Sequence, residues 1–270
     1  MKIVVCVKQV PEAEKVEVNP ETGTLIREGV ASILNPFCEY SLDEAVRLKK
    51  ERDDRSIEVI VVSMGPPQTR AALLRCLELG ADKAYLLTDR KFAGADTKAT
   101  SYTLKEGIKK YIPDFDLIIA GKQAIDGDTA QVGPELAEDL GIPQVTYATR
   151  VDIVKKKIVV IRETGIGYQK VECRLPALVT ISKGSNIRRF PSMRDVLEAR
   201  DKPLILVSND ELGAADERLG LNGSPTQVKK VFAPPQKTGG DLVDGREEVE
   251  NAVEKLFDYL VKNNFIKKGS

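Results

Sequence analysis

Residues 121–134, Gly-Lys-Gln-Ala-Ile-Asp-Gly-Asp-Thr-Ala-Gln-Val-Gly-Pro, lie between an apolar run, Asp116 to Ala120, and a helical pattern, Glu135 to Leu140. A strand, a glycine-containing turn and a helix N-terminus together make an anion site. The first-turn N–H groups have no intrahelical partner, and the helix dipole favours negative charge. Asp128 or Thr129 can cap the helix, and Gly127 lets a backbone approach a ligand closely. The spacing is neither Gly-x-Gly-x-x-Gly nor Gly-x-x-x-x-Gly-Lys-Ser/Thr, so the usual dinucleotide and P-loop signatures do not apply. Carboxylates repel phosphate, so amides and hydroxyls must bind it, with Asp126 or Asp128 turned to a cap or a ribose. The competing reading is an ordinary turn with an aspartate N-cap.

The elements that would hold this loop alternate strand and helix. Lys2 to Val10 reads as a buried parallel strand. Val16–Val18 and Thr24–Ile26 alternate around Asn19 to Gly23 as a β-hairpin excursion. Ser41 caps a helix with Leu42, Ala45, Val46 and Leu48 on one face. Ile57–Ser63 is a strand, Pro66 and Pro67 open a helix ending at Gly80, and Lys83–Thr88 is a third strand. Thr97–Tyr111 is a helix, and Phe115–Ala120 is the strand feeding the loop. This alternation predicts right-handed crossovers and a parallel sheet covered on both faces, with ligands at the carboxyl ends of the strands. That rule brings Lys8-Gln9, Ser63-Met64-Gly65 and the 121–134 loop to one rim. After Gln144, the strand patterns Val151–Ile153, Lys157–Arg162, Tyr168–Cys173 and Ala177–Ser182 predict an antiparallel extension.

The composition narrows the chemistry. The chain has 270 residues, 42% of them hydrophobic, enough for one large α/β domain with an appendage. Lys plus Arg and Asp plus Glu both number 41, so whole-chain charge gives no case for nucleic-acid binding. No apolar run reaches a membrane-spanning length, and only five apolar residues separate Lys2 from Lys8, so no signal peptide or transmembrane segment is expected and the chain reads as cytoplasmic. Histidine is absent, which removes Ser-His-Asp and Cys-His catalysis and histidine-ligated metals. Cys6, Cys38, Cys76 and Cys173 are far apart and read as buried small hydrophobes, with no iron–sulfur or zinc ligand set. Cys6 and Cys38 are also candidates to line the ligand site. Redox chemistry here would have to come from a bound cofactor.

From Lys183 the character changes. Arg188-Arg-Phe-Pro-Ser-Met-Arg194 is basic, a short helix runs to Arg200, and Leu204–Val207 is a strand. Gly213 to Gly240 is too long for an ordinary connection, so it is disordered or lies on another protein. The apolar stripe Val249, Val253, Leu256, Phe257 and Leu260 makes an arm that needs a partner the more economical reading. The expected division is residues 1–207 as the nucleotide-binding domain and 208–270 as a C-terminal arm.

Five segments in chain order resemble the electron transfer flavoprotein beta subunit. Gly121-Lys-Gln-Ala-Ile-Asp-Gly-Asp is similar to its nucleotide-binding loop, and Val5-Cys-Val-Lys-Gln-Val10 to its first strand. Asn35-Pro-Phe-Cys-Glu39 resembles its next ligand-contacting segment, Val62-Ser-Met-Gly-Pro66 its second phosphate-side turn, and Leu175-Pro-Ala-Leu-Val-Thr180 its signature strand. The resemblance implies a three-layer α/β parallel-sheet nucleotide-binding domain, Rossmann-like and adenine nucleotide hydrolase-like, with an antiparallel extension and a C-terminal arm. It implies a heterodimer with an alpha subunit that carries the working flavin. Cofactor contacts carried over are Cys6, Lys8, Asn35, Phe37, Cys38, Met64, Gly65, Gln123, Ala124, Asp126, Gly127, Asp128, Thr129, Ala130, Gln131, Val132 and Gly133.

Ordinary members of this family hold AMP in the beta subunit. A second group holds another FAD there, which accepts hydride from NADH and splits the electron pair between a high-potential acceptor (a quinone or dehydrogenase) and a low-potential one (ferredoxin or flavodoxin). The 126–134 sequence, the segment Asp89 to Thr97, and the hydroxyl-rich helix opening with Thr97 and Thr100 resemble the second group. The stretch Glu163 to Tyr168 is less acidic than is usual in the family. The family's partner-docking recognition loop resembles residues 183–200 here, with Met193 at the anchoring position. A universal-stress-type nucleotide-binding protein is a third reading, opposed by the long arm and the signature strand.

Overall fold

The computed structural model describes residues 1–12, 17–18, 25–26, 32–51, 57–183, 190–229, 243–246 and 248–267. They fall in two compact units, Met1–Val231 and Phe232–Ser270. The first is built on a nine-stranded sheet of order β11-β10-β9-β12-β8-β1-β6-β7-β13. Its strands are β1 (Lys2–Cys6), β6 (Glu58–Met64), β7 (Lys83–Leu87), β8 (Leu117–Gly121), β9 (Gln144–Val154), β10 (Lys157–Thr164), β11 (Gly167–Arg174), β12 (Ala177–Ile181) and β13 (Leu204–Val207). All run parallel to their neighbours except for the antiparallel pairs β9–β10 and β10–β11.

The central strands are apolar on both faces because helices cover both. Ile3, Val5, Val59 and Val61 pack on the side of α1 (Pro36–Glu51) and α2 (Arg70–Glu78). Val4, Cys6, Ile60 and Val62 pack on the side of α3 (Thr97–Tyr111) and α4 (Val132–Leu140). The strand period of two thus sorts one valine- and isoleucine-rich run into two cores. The expected three-layer α/β fold with an antiparallel extension is the fold observed.

Several local expectations are corrected. The run Lys2 to Val10 is two strands: β1 ends at Cys6, and β2 (Gln9–Pro11) turns away to pair with β5 (Ser32–Leu34). The hairpin strands are β3 (Glu17–Val18) and β4 (Leu25–Ile26), paired antiparallel; its turn, Asn19 to Gly23, lies outside the described residues. Helix α1 begins at Pro36 instead of after Ser41, because proline is preorganised for a first helical position. Ser41 sits buried inside it and donates to the Phe37 carbonyl. Only β10 and β11 make the antiparallel extension. Strand β12 inserts in parallel between β8 and β9, where it completes the buried centre of the sheet.

Beyond β13, helix α6 (Asn209–Leu212) and the segment to residue 229 remain on the first unit, where Leu212, Ala214 and Leu219 join the core beside α3. Arg188, Arg189 and the prolines and glycines from 234 to 240 lie outside the described residues. The second unit contains α7 (Val249–Lys262), whose Val249, Val253, Leu256 and Phe257 are exposed. No helix among the described residues is long and apolar enough to cross a membrane.

Candidate nucleotide site

Strands β8, β1 and β6 are parallel neighbours, so their carboxyl ends deliver the 121–134 loop, Lys8 and the Ser63-Met64-Gly65 turn to one rim. Two long-range contacts pin the loop. Asn35, 1% exposed, donates through Nδ2 to the Gln123 carbonyl at 2.9 Å and accepts at Oδ1 from the Ile125 amide at 3.1 Å. Lys8 donates to both carboxylate oxygens of Asp126, at 2.7 and 2.8 Å. Gln123 in turn hydrogen-bonds Asp128. The Lys8 ammonium therefore offsets the charge that Asp126 would present to an anion, and Asp128 is turned onto the Gln123 amide.

The expected cap is corrected. Neither Asp128 nor Thr129 caps α4; Gln131 occupies the N-cap position and makes no side-chain cap bond. The amides of Val132 and Gly133 have no acceptor among the described residues. Asp128 and Ala130 adopt left-handed φ of 54° and 55°, which non-glycine residues seldom do. A side chain on Gly127 would meet no atom within 4 Å, whereas one on Gly133 would strike Thr180 at 2.5 Å. Gly133 is thus the packing glycine and Gly127 the open one. Ala124 supplies the carbonyl that closes the turn, accepting from Asp128 at 2.9 Å.

Cys6 and Cys38 lie buried at the root of the rim. Burial pushes the Cys6 thiol up to about 12, with Cys38 adding to it. Burial also raises Cys38, opposed by the Asn35 side chain and by the backbone at Lys8 and Gly121. Phe37 is half-buried at the start of α1; Met64, the last residue of β6, and Gly65 after it are half-buried as well. Ser63 is fully buried, and its hydroxyl has no partner among the described residues.

Thr97 and Thr100 occupy a different setting. Asp96 caps α3, accepting from the Ala99 amide at 3.0 Å, and it also accepts from the Thr226 amide at 3.0 Å and hydroxyl at 2.8 Å. The Thr97 hydroxyl lies 3.1 Å from Glu135 Oε1 and 3.4 Å from Gln131 Oε1, joining α3 to the start of α4. Burial raises the Glu135 carboxyl, opposed by the Thr97 hydroxyl. The segments carrying Glu135, Thr180 and Lys122 were legible, but not the roles of these three residues, because each acts through a contact distant along the chain. Met193 opens α5 (Met193–Ala199), is 75% exposed, and follows a capping box between Ser192 and Asp195.

A doubly wound α/β chain with a glycine-containing loop at the carboxyl ends of its parallel strands is the class that fold and rim define. A family model described as "Electron transfer flavoprotein domain" matches residues 22–212. The chain is 48% identical over 245 residues to "Caffeyl-CoA reductase-Etf complex subunit CarD" of Acetobacterium woodii, covering 91% of this chain and 92% of that one. It is 46% identical over 266 residues to "Electron transfer flavoprotein subunit beta" of Clostridium acetobutylicum, covering 98% and 100%. It is 44% identical over 269 residues to "Protein FixA" of Azotobacter vinelandii, covering 95% of each. The chain belongs to the electron transfer flavoprotein beta subunit family. Membership implies association with flavin, a place in electron transport, and pairing with an alpha subunit.

Proposed function

We propose that this chain binds FAD and NADH as the beta subunit of a cytoplasmic heterodimer, and that electrons pass from it to two classes of acceptor. One is a high-potential quinone-reducing or dehydrogenase partner, and the other a low-potential ferredoxin or flavodoxin. The observation that carries the site is the uncapped start of α4. Its Val132 and Gly133 amides have no acceptor among the described residues, and in the loop before them Asp126 is paired with Lys8 and Asp128 bonded by Gln123. Donors of that type suit a phosphate, and the open space at Gly127 suits close approach of a ligand. The left-handed Asp128 and Ala130 add support, since such strain persists where a loop has work to do.

When bound, FAD would supply hydride acceptance from NADH and separation of the electron pair; the chain itself has only to bind, orient and exclude water. Lys8, Asn35, Gln123, Asp126 and Gly127 to Gly133 would hold the nucleotide, and Cys6, Phe37, Cys38, Met64 and Gly65 would line its surroundings. Thr97 and Thr100 would lie toward its far end. Met193 would dock an electron-exchanging partner; of the expected arm from 208 to 270, the part to residue 229 packs on this chain beside α3, and the part beyond residue 231 would lie on the alpha subunit.

The second reading, AMP in place of FAD with this chain as scaffold, is favoured by one observation. Asp96 already occupies the N-terminus of α3, and the Thr97 hydroxyl is engaged by Glu135 and Gln131, leaving fewer donors for a second phosphate. Counting flavin and AMP released from the purified heterodimer decides between them. Two flavins and no AMP supports the first reading, and one flavin with one AMP the second.

A further inference from the structure

Strand β9 is interrupted. Its buried residues Val145 and Ala148 are three apart, where a regular strand would place them two apart. Opposite them, β12 advances only from Val179 to Ile181, and β10 only from Ile161 to Arg162 while β9 steps from Arg150 to Ala148. These are two adjoining register shifts of the β-bulge kind, which re-aims side chains: one against β12 between Val145 and Ala148, the other against β10 between Ala148 and Arg150. Tyr147 lies within the first, with φ of 59°, an outlier for a bulky residue. Its amide donates to the Thr180 hydroxyl at 3.1 Å, so the irregular backbone is satisfied and held.

The Tyr147 ring, 37% exposed, lies 5.1 Å from the Lys122 ammonium, and the Phe37 ring lies 6.0 Å from the same ammonium on another element. Lys122 is the first residue after β8 and is anchored by its amide to the Ile181 carbonyl. Its ammonium has no carboxylate or hydrogen-bond acceptor among the described residues. The result is a cation near two rings at the ligand end of a parallel sheet, with no carboxylate beside it among the described residues and one of the rings carried by a strained bulge.

We propose that Lys122, Tyr147 and Phe37 form a clamp for a planar ring that carries negative charge, the reduced, anionic form of a flavin. This deepens the reading above and rests on flavin being present in the heterodimer. Adenine is neutral and needs no ammonium. Oxidised nicotinamide is cationic and would be repelled. Oxidised flavin is neutral and gains the attraction only on reduction, so the clamp favours the reduced state. The ring can belong to a dinucleotide on this chain's own loop or to the flavin of the alpha subunit.

The test is a stepwise reductive titration of the intact heterodimer, read by visible absorbance against a reference dye, for wild type and for Lys122→Gln, Lys122→Arg and Tyr147→Gly. Lys122→Gln should lower the reduced-to-oxidised ratio of one flavin at fixed potential roughly tenfold, the lower end of what one nearby opposite charge does to a charged form, and Lys122→Arg should retain most of it. Tyr147→Gly relieves the left-handed strain, so it should melt no earlier than wild type while still lowering the ratio. Repeating the titration on heterodimer carrying AMP and a single flavin assigns the ring: a persisting effect places it in the alpha subunit, and a vanished one on this chain. Unchanged ratios in both Lys122→Gln and Tyr147→Gly, with flavin content intact, overturn the clamp. A heterodimer without flavin would instead overturn the reading on which it rests.

Discussion

Lys8 and Asp126 are 118 residues apart, yet the lysine ammonium reaches both carboxylate oxygens, at 2.7 and 2.8 Å. The two side chains are 49% and 32% exposed. An ion pair that open to water is worth only about 0–1 kcal/mol to stability. Its consequence is local: it holds the loop to the end of β1 and offsets a carboxylate beside the expected phosphate. Lys8→Met should therefore leave the melting temperature nearly unchanged while weakening nucleotide retention, measured as nucleotide per heterodimer after gel filtration. Full retention would detach Asp126 from the binding surface.

Asn35 is the opposite case. Asn35→Ala leaves the Gln123 carbonyl and the Ile125 amide without their partner in a part-buried setting, at a cost near the low end of about 1–3 kcal/mol. Denaturant titration should show that loss, and nucleotide content should fall with it. Normal nucleotide content in a destabilised variant would make Asn35 a core residue only.

Gly127 has open space where a side chain would point. Gly127→Val should fold and melt like wild type without nucleotide, yet crowd the ligand and lower occupancy of the purified complex. A variant with full occupancy would show that the loop is not the nucleotide loop.

Asp96 is subject to burial, which raises its pKa, but hydrogen bonds from Ala99 and Thr226 hold it below the ordinary carboxylate value. A depressed folded pKa means stability that is present above the unfolded value of about 3.9 and lost as pH falls through the folded one. Acidification should loosen the start of α3 and the 224–226 segment together, seen as faster amide exchange at Ala99 and Thr226. Asp96→Asn should reduce that pH dependence; independent behaviour of the two segments would refute the link.

Met193 projects from a capped helix instead of packing against its own chain, and the exposed stripe on α7 needs a cover. Met193→Ala should slow electron exchange with the partner while NADH still reduces the flavin at the wild-type rate. Truncation after residue 231 should weaken the heterodimer, with roughly 1.5–3 kcal/mol for each large apolar side chain no longer buried. Analytical ultracentrifugation showing unchanged affinity would rule out the arm as the alpha-subunit contact.

Helix α3 runs from Thr97 to Tyr111 in both the sequence reading and the structure. Its cap, its apolar periodicity and its end all lie within neighbouring residues, where local propensity acts. The apolar runs of β1, β6, β7 and β8 were legible for the same reason, and so was the placement of the 121–134 loop at the carboxyl ends of parallel strands. Other features depend on partners far along the chain. The apolar run in 177–182 identifies a strand but not its neighbours; both faces of β12 are buried where it lies parallel between β8 and β9. Nothing near Asn35 announces that it will bond residues 123 and 125, and nothing near Asp126 announces Lys8. The bulge at Tyr147 was not legible in the sequence; the three-residue spacing of Val145 and Ala148 shows only in which residues are buried. Its left-handed backbone is a tertiary decision, held by a hydroxyl on Thr180, 33 residues away. Sequence determined the elements because their energetics are local; the rim was decided by the tertiary structure, because contacts between distant segments form only once whole faces of the sheet are buried.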